Sequence, residues 1–345
     1  MKYKYTFSTN NLDLLRLVLA SLVVVIHLAN LSLEPSILGY SDAISFASSR
    51  AVPGFFVISG FLIYMSYEKS ASIWEYYFKR ALRLIPAYYL LITISAILLF
   101  FISSATAKEY FSDGFFNYII YNFLFLNFLS PELPGVFSDN PLQTINGALW
   151  TLKIEVMFYL IVPFLFKLAS KCSAILFFTS IFIASLFYVY YFNALFEETG
   201  NNLYHQLSYQ LPGQMMYFVS GILAYLYFGV LKKYILGFML IAFCIFYFQI
   251  FELDSIALCI TLVYLFMIAP YHISLKNIGD LSYGVYIFHF PIVQTFIHLQ
   301  LFASTPIILM LMTYASTLAL SYVSWHFVEK RALKFKPLTR RQSFE

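Results

Sequence analysis

Residues 16–30 read RLVLASLVVVIHLAN, a run built for lipid that nevertheless carries an arginine and a histidine. An ionisable side chain at such a depth costs about 2.5–3.5 kcal/mol even on insertion-derived scales, so it is a functional candidate by default. Arg16 and His27 are eleven residues apart. At ~100° per residue they return to within ~20° of one helix face, and at 1.5 Å per residue they stand ~16 Å apart along the axis. A guanidinium binds phosphate or carboxylate, and an imidazole exchanges a proton near neutral pH. Asp13 lies near the same stripe and is the expected partner if Arg16 only snorkels to the interface. The structural alternative for His27 is a hydrogen bond that packs two helices.

Three further stretches carry chemistry. In EYYFKRALRLIP, Arg80 and Arg83 are three apart and share a face at the mouth of the next apolar run. Paired guanidiniums suit a phosphate, while basic topology signals and anionic lipid contact explain them equally well. In ALWTLKIEVMFYLIVPF, Trp150 reads as an interface anchor and Glu155 lies about one and a half turns inside. A partly buried carboxylate serves as an acid or base; the alternative is a structural ion pair with Lys153 or Arg50. In LSYGVYIFHFPIV, Ser282, Tyr286, His289 and Val293 share a face by 3/4 spacing. His289 reads either as a structural histidine bonded to a neighbouring helix or, with Arg50 and Trp150, as a substrate-binding residue. Glu329, in HFVEKR, is placed to pair with the arginines.

Other chemistries lack their signatures. VISGF around Ser59 is not a nucleophile elbow, and Ser59-Gly60 reads as a point of close helix approach. There is no Walker loop, HExxH or GxGxxG opening a βαβ unit. Cys172, Cys244 and Cys259 sit in or beside apolar runs, and neither they nor His205, His272, His298 and His326 have metal-ligand spacing. No metal is expected.

These residues must be positioned by membrane helices. The 345-residue chain is 61% hydrophobic and 11% charged, against about 25% charged in soluble domains. The fold class is all-α and polytopic, with ten spans expected near 12–31, 52–67, 84–103, 149–167, 173–192, 211–230, 234–251, 255–271, 281–300 and 306–327. The segment 115–129 is apolar but short and contains three asparagines, which suits a re-entrant or interfacial segment. With ten spans and both termini cytoplasmic, 17 of the 21 Lys and Arg fall on the inner side, as the positive-inside rule requires. The expected organisation is one integral-membrane domain over 1–345, with an uncleaved first helix, a basic tail at 330–345 and no fused soluble domain. If the chain is an enzyme, its chemistry must then be built from the helices and the outer segments 104–148 and 193–210.

The ordered pieces LDLLRLVLASLVVVIH, RAVPGFFVISGFLI, FKRALRLIPAYY, LWTLKIEVMFYLIVP, LSYGVYIFHFPI and FVEKR resemble the acyltransferase-3 family of bacterial integral-membrane acyltransferases. The resemblance implies an acyl group, such as acetyl from acetyl-CoA, moved to an extracytoplasmic carbohydrate: O-antigen, exopolysaccharide, capsule or peptidoglycan. It implies that His27 is catalytic with Glu155 beside it, and that Arg16, Arg80 and Arg83 meet the donor. The implied setting is the inner membrane, with the bilayer and a cell-surface glycan as partners and no nucleic acid. Some family members carry a hydrolase-like domain, so a partner acyltransferase or hydrolase-like protein is an expected possibility. A transporter or exporter, and an acyltransferase acting on a small molecule, are the alternative readings. An inverted repeat with interrupted helices in matching halves, which would favour transport, is not visible in the sequence.

Overall fold

The computed structural model describes residues 11–33, 42–250, 253–275, 278–302 and 305–335. Among them there is no strand. The helices are α1 (Leu12–Ser32), α2 (Asp42–Ser49), α3 (Ala51–Lys69), α4 (Ile73–Leu98), α5 (Ala107–Tyr110), α6 (Asp113–Phe123), α7 (Trp150–Ala169) and α8 (Ala174–Thr199). They continue with α9 (Asn202–Ser208), α10 (Leu211–Leu226), α11 (Phe228–Lys233), α12 (Ile235–Tyr247), α13 (Asp254–Val263), α14 (Ser282–His298), α15 (Pro306–Ser324) and α16 (Lys330–Leu333).

Six segments are long and apolar enough to cross a bilayer: those of α1, α3, α4, α7, α8 and α15 with their short extensions. The other four expected spans also coincide with helices, but shorter ones: α10, α12, α13 and α14. The basic residues Lys2, Lys4, Lys276, Lys336, Arg340 and Arg341, which contribute to the expected topology, lie outside the described residues.

Short polar contacts set where helices begin. Asn11 anchors α1: its Nδ2 donates to the Leu265 and Tyr271 carbonyls, and its Oδ1 accepts from the Ile273 amide. Ser72 caps α4 by accepting from the Glu75 amide. That cap corrects one expected boundary. The helix begins at Ile73, so Arg80 and Arg83 lie inside α4 rather than in a loop before it. Arginine is a good helix former, and nothing between Ser72 and the arginines breaks the helix.

Proline inside a span leaves a carbonyl without its helical donor, and in lipid that carbonyl needs another partner. Pro163 in α7 orphans the Tyr159 carbonyl, which accepts from the Tyr76 hydroxyl of α4 at 3.0 Å. Pro291 in α14 orphans the Ile287 carbonyl, which accepts from Asn146 Nδ2 at 2.8 Å. Each repair also pins a second element against the helix it repairs.

The helix after α5 is too short to cross a bilayer by itself. α6 has eleven residues, about 16 Å of helix, and folds against α4. Tyr88 donates to the Asn122 carbonyl at 2.8 Å, and Tyr89 stacks on Phe123. Asn122 bonds the Tyr118 and Ser130 carbonyls, closing the turn that follows. The expected segment 115–129 is thus a short helix followed by a turn.

At the centre α14 is buried on nearly every face, between α1 and α15. α3 and α10 approach to backbone contact. A Cβ on Gly60 would lie 1.9 Å from the Phe218 carbonyl oxygen, and one on Gly221 would lie 2.0 Å from that of Val57. Ser59-Gly60 therefore marks a close helix approach, as read from the sequence.

Candidate active site

One end of the site is an arginine cluster gathered on a single acid. Arg16 Nη1 donates to Asp280 Oδ2 at 2.8 Å, Arg83 Nη2 donates to the same oxygen, and the Ser282 hydroxyl bonds Oδ1 at 2.5 Å. α1 supplies Arg16, α4 supplies Arg83, and the turn leading into α14 supplies Asp280. Burial alone would raise the Asp280 carboxyl; Arg16 and Arg83 outweigh that and, with Ser282, hold it well below the ordinary carboxylate range. Arg80 stands apart from the cluster. Its Nε is buried and has no hydrogen-bond partner, and its guanidinium sits 5.9 Å from the Tyr159 ring centroid. Tyr159 donates to Glu155, one turn earlier on α7.

The other end is a histidine pair. His27 Nδ1 lies 2.8 Å from His289 Nε2, and His289 Nδ1 lies 3.1 Å from the Val285 carbonyl oxygen. The two ring planes are within 13° of parallel, and Phe290 meets His27 edge-on. His289 is 0% exposed, whereas His27 is half-buried and faces a cavity.

A cavity lies at each end. The first, about 100 Å³, is lined by Arg16, Arg80, Arg83, Glu155, Tyr159 and Ser282 among others. The second, about 330 Å³, is lined by His27, Asn30, Asn193, Gln214 and the aromatic side chains of Trp150, Tyr209 and Tyr217. Val52 and Tyr286 line both. The Tyr286 hydroxyl is bonded to that of Thr151, which fixes the ring at the junction. Ligand pockets usually measure about 300–1,000 Å³. The second cavity is therefore of ligand size, and the first admits only a thin arm.

The acyltransferase domain model of the acyltransferase-3 family matches residues 9–326. The chain belongs to the acyltransferase-3 family. It is 28% identical over 344 residues to an O-acetyl transferase of Shigella phage Sf6, covering 94% of this chain and 96% of the relative. It is also 30% identical over 168 residues to nodulation protein 10 of Rhizobium leguminosarum bv. viciae, covering 46% of this chain and 44% of that protein. No solved structure matches it. The protein is thus a membrane O-acyltransferase, an enzyme by family and by its full-length relative.

Within this acyltransferase the expected site residues fall into separate groups. Arg16, Arg80, Arg83 and Glu155 share the first cavity, while His27 and Trp150 share the second. Several expected partners differ. Arg16 pairs with Asp280, an acid distant in sequence, where Asp13 was the expected local partner. Glu155 pairs with neither Lys153 nor Arg50: Lys153, two residues away on α7 and so on another face, donates to Gln210, and Arg50, just before α3, donates to Asp254. Arg50 is held by Asp254 at 2.9 Å and by the Phe46 ring, and lines neither cavity. His289 also lines neither cavity; it bonds across to a neighbouring helix, the first of its two sequence readings. Glu329 is buried, accepts from Ser324 at 3.0 Å and, among the described residues, forms no ion pair with an arginine within 4.0 Å. Among the described residues no group of His, Cys, Asp and Glu could hold a metal ion.

Asp280 is the residue that sequence reading missed. It lies in IGDLSYG, two residues before the start of α14. A lone acid just before a helix is favoured by the helix dipole, so its position gives no sign of its role as the hub of the arginines.

Proposed function

We propose that the protein transfers an acetyl group from cytoplasmic acetyl-CoA to a hydroxyl of an extracytoplasmic glycan, such as O-antigen, exopolysaccharide or capsule. The setting is the bacterial inner membrane, with both termini cytoplasmic and ten spans. One observation carries this reading: an arginine-lined cavity and a His27-lined cavity are neighbours that share Val52 and Tyr286 in their linings. The O-acetyl transferase relative supports acetyl as the group moved.

In this reading the donor phosphates stay at the arginine mouth. Arg80 has donor capacity to spare, and Arg16 and Arg83 are held in place by Asp280. The pantetheine arm enters the narrow first cavity, which is too small for the nucleotide. Glu155 acts here as a positioning residue, holding Tyr159 beneath Arg80. The second cavity suits a sugar: aromatic faces of Trp150, Tyr209 and Tyr217, with amides of Asn30, Asn193 and Gln214 for its hydroxyls.

The acceptor hydroxyl gives its proton to His27 as its oxygen attacks the thioester carbonyl carbon. The C–O bond forms, the C–S bond breaks with its electron pair on sulfur, and the proton returns to that sulfur to release CoA. General base catalysis of this kind contributes about 10²–10⁴-fold. The test is His27→Ala at normal membrane abundance, read by mass spectrometry of the surface polysaccharide. A loss of O-acetyl groups of at least about 100-fold is expected. Undiminished acetylation would remove His27 from the chemistry.

A further inference from the structure

We infer that His289 is a positioning residue that fixes the tautomer and orientation of His27, leaving His27 Nε2 as the nitrogen that takes the acceptor's proton. The inference rests on His27 being the base. It comes from the order of hydrogen bonds along the pair. The Val285 carbonyl can only accept, so His289 Nδ1, 3.1 Å away, carries a hydrogen and donates. A neutral imidazole has one such hydrogen, so His289 Nε2 is an acceptor. His27 Nδ1, 2.8 Å from it, is then the donor. The only lone pair left on the His27 ring for a base is on Nε2.

The reverse arrangement fails locally. If His289 Nε2 donated, its Nδ1 lone pair would face the Val285 carbonyl oxygen with no hydrogen between them. A doubly protonated His289 would place a full charge in the core of α14. No carboxylate bonds either ring among the described residues, and an unpaired buried charge is costly. The rings are built for an end-to-end bond: their planes are 13° apart and their centroids 5.1 Å apart, wider than the ~3.5 Å of face-on contact.

His289 is also held rigidly. It is fully buried, and α14 is fixed on the same stretch by Asn146, which bonds the Ile287 carbonyl. When His27 accepts the acceptor's proton at Nε2, its Nδ1–H stays on His289 and shares the new positive charge. His289 itself gains and loses no proton. It does for His27 what the orienting acid does in a Ser-His-Asp triad, but with a neutral acceptor.

The test compares His289→Gln, His289→Asn and His289→Leu in the purified full chain. The assay is acetyl transfer from acetyl-CoA to de-O-acetylated polysaccharide of the host cell, alongside His27→Ala. Gln extends far enough to put its carbonyl oxygen where Nε2 stands; Asn is one methylene shorter, and Leu has no acceptor. The expected result is that Gln keeps kcat within about tenfold of the wild type. Asn and Leu lose about 100-fold or more, with the KM for acetyl-CoA unchanged in all three. Equal kcat for Gln and Asn, whether both high or both low, would overturn the positioning role, as would a loss confined to KM. If Leu fails to fold, the Gln/Asn pair decides alone. An active His27→Ala enzyme would instead refute the underlying reading of His27, so the two failures are distinct.

Discussion

Asp280→Asn is the most informative single change at the arginine end. It removes the one negative charge that Arg16 and Arg83 share while keeping the side chain's size. Breaking a buried ion pair from one side costs about 3–5 kcal/mol. Here the three side chains are between 13% and 20% exposed and sit at the mouth of a cavity. Screening there lowers the cost to about 2–3 kcal/mol, and Asn retains a bond from one arginine. A drop of about 5 °C in melting temperature is expected in detergent. CoA should oppose it. On the proposed donor site, a phosphate in the wild type competes with the Asp280 charge for the two guanidiniums; in the variant no carboxylate competes. A tenfold gain in CoA affinity would return about 1.4 kcal/mol at saturation, so CoA should raise the melting temperature of Asp280→Asn more than that of the wild type. The pH dependence has a definite sign. The folded Asp280 carboxyl is depressed, so its contribution is complete above the unfolded value of about 3.9 and is lost as pH falls through the lower folded value. The gap between wild type and variant should therefore be constant from pH 5 to 8 and close only in strong acid. The assay is thermal unfolding by intrinsic fluorescence at several pH values, with and without CoA. Equal melting temperatures for the two proteins, or weaker CoA stabilisation in the variant, would refute the competition between Asp280 and phosphate.

Two further changes test how the helices hold the site. Asn146→Leu leaves the Ile287 carbonyl unbonded beside Pro291; a loss of about 1–3 kcal/mol is expected by chemical denaturation, with kcat falling because α14 carries His289. Gly221→Ala places a methyl 2.0 Å from the Val57 carbonyl oxygen. Separating α3 from α10 costs about 1–3 kcal/mol or more, and the measurable result is a lower melting temperature and reduced monodisperse yield.

Much of the site was legible because its residues are costly where they stand. Arg16 and His27 in RLVLASLVVVIHLAN and His289 in LSYGVYIFHFPIV contrast with apolar neighbours, and the 3.6-residue period places Arg16 and His27 on one face. The partnerships were not legible. Sequence proximity suggested Asp13 for Arg16 and Lys153 for Glu155, but Arg16 and Lys153 take partners distant in sequence, Asp280 and Gln210, and Glu155 accepts from Tyr159 one turn along its own helix. The link between His27 and His289 spans 262 residues, and no local pattern announces it. The positions of the helices followed from hydropathy, while the start of α4 did not. Its first turns are polar enough to read as a loop, and only the Ser72 cap and the packing of Tyr76 against α7 show them to be helix. The repair of Pro291 by Asn146 was invisible for the same reason: it joins a loop residue to a carbonyl far along the chain.

The junction at Val52 and Tyr286 has a consequence for the membrane itself. A bilayer that stores energy as an ion gradient tolerates no continuous wet channel, yet the proposed route needs a passage from one cavity to the other. In that route Val52 and the hydrogen-bonded Tyr286, which line both cavities, would form the partition. The route then requires that a two-carbon group on a thin arm reach past them while hydrated ions do not. The same partition that keeps the membrane tight would then also set the upper size of the group delivered, so insulation and selectivity share one pair of side chains.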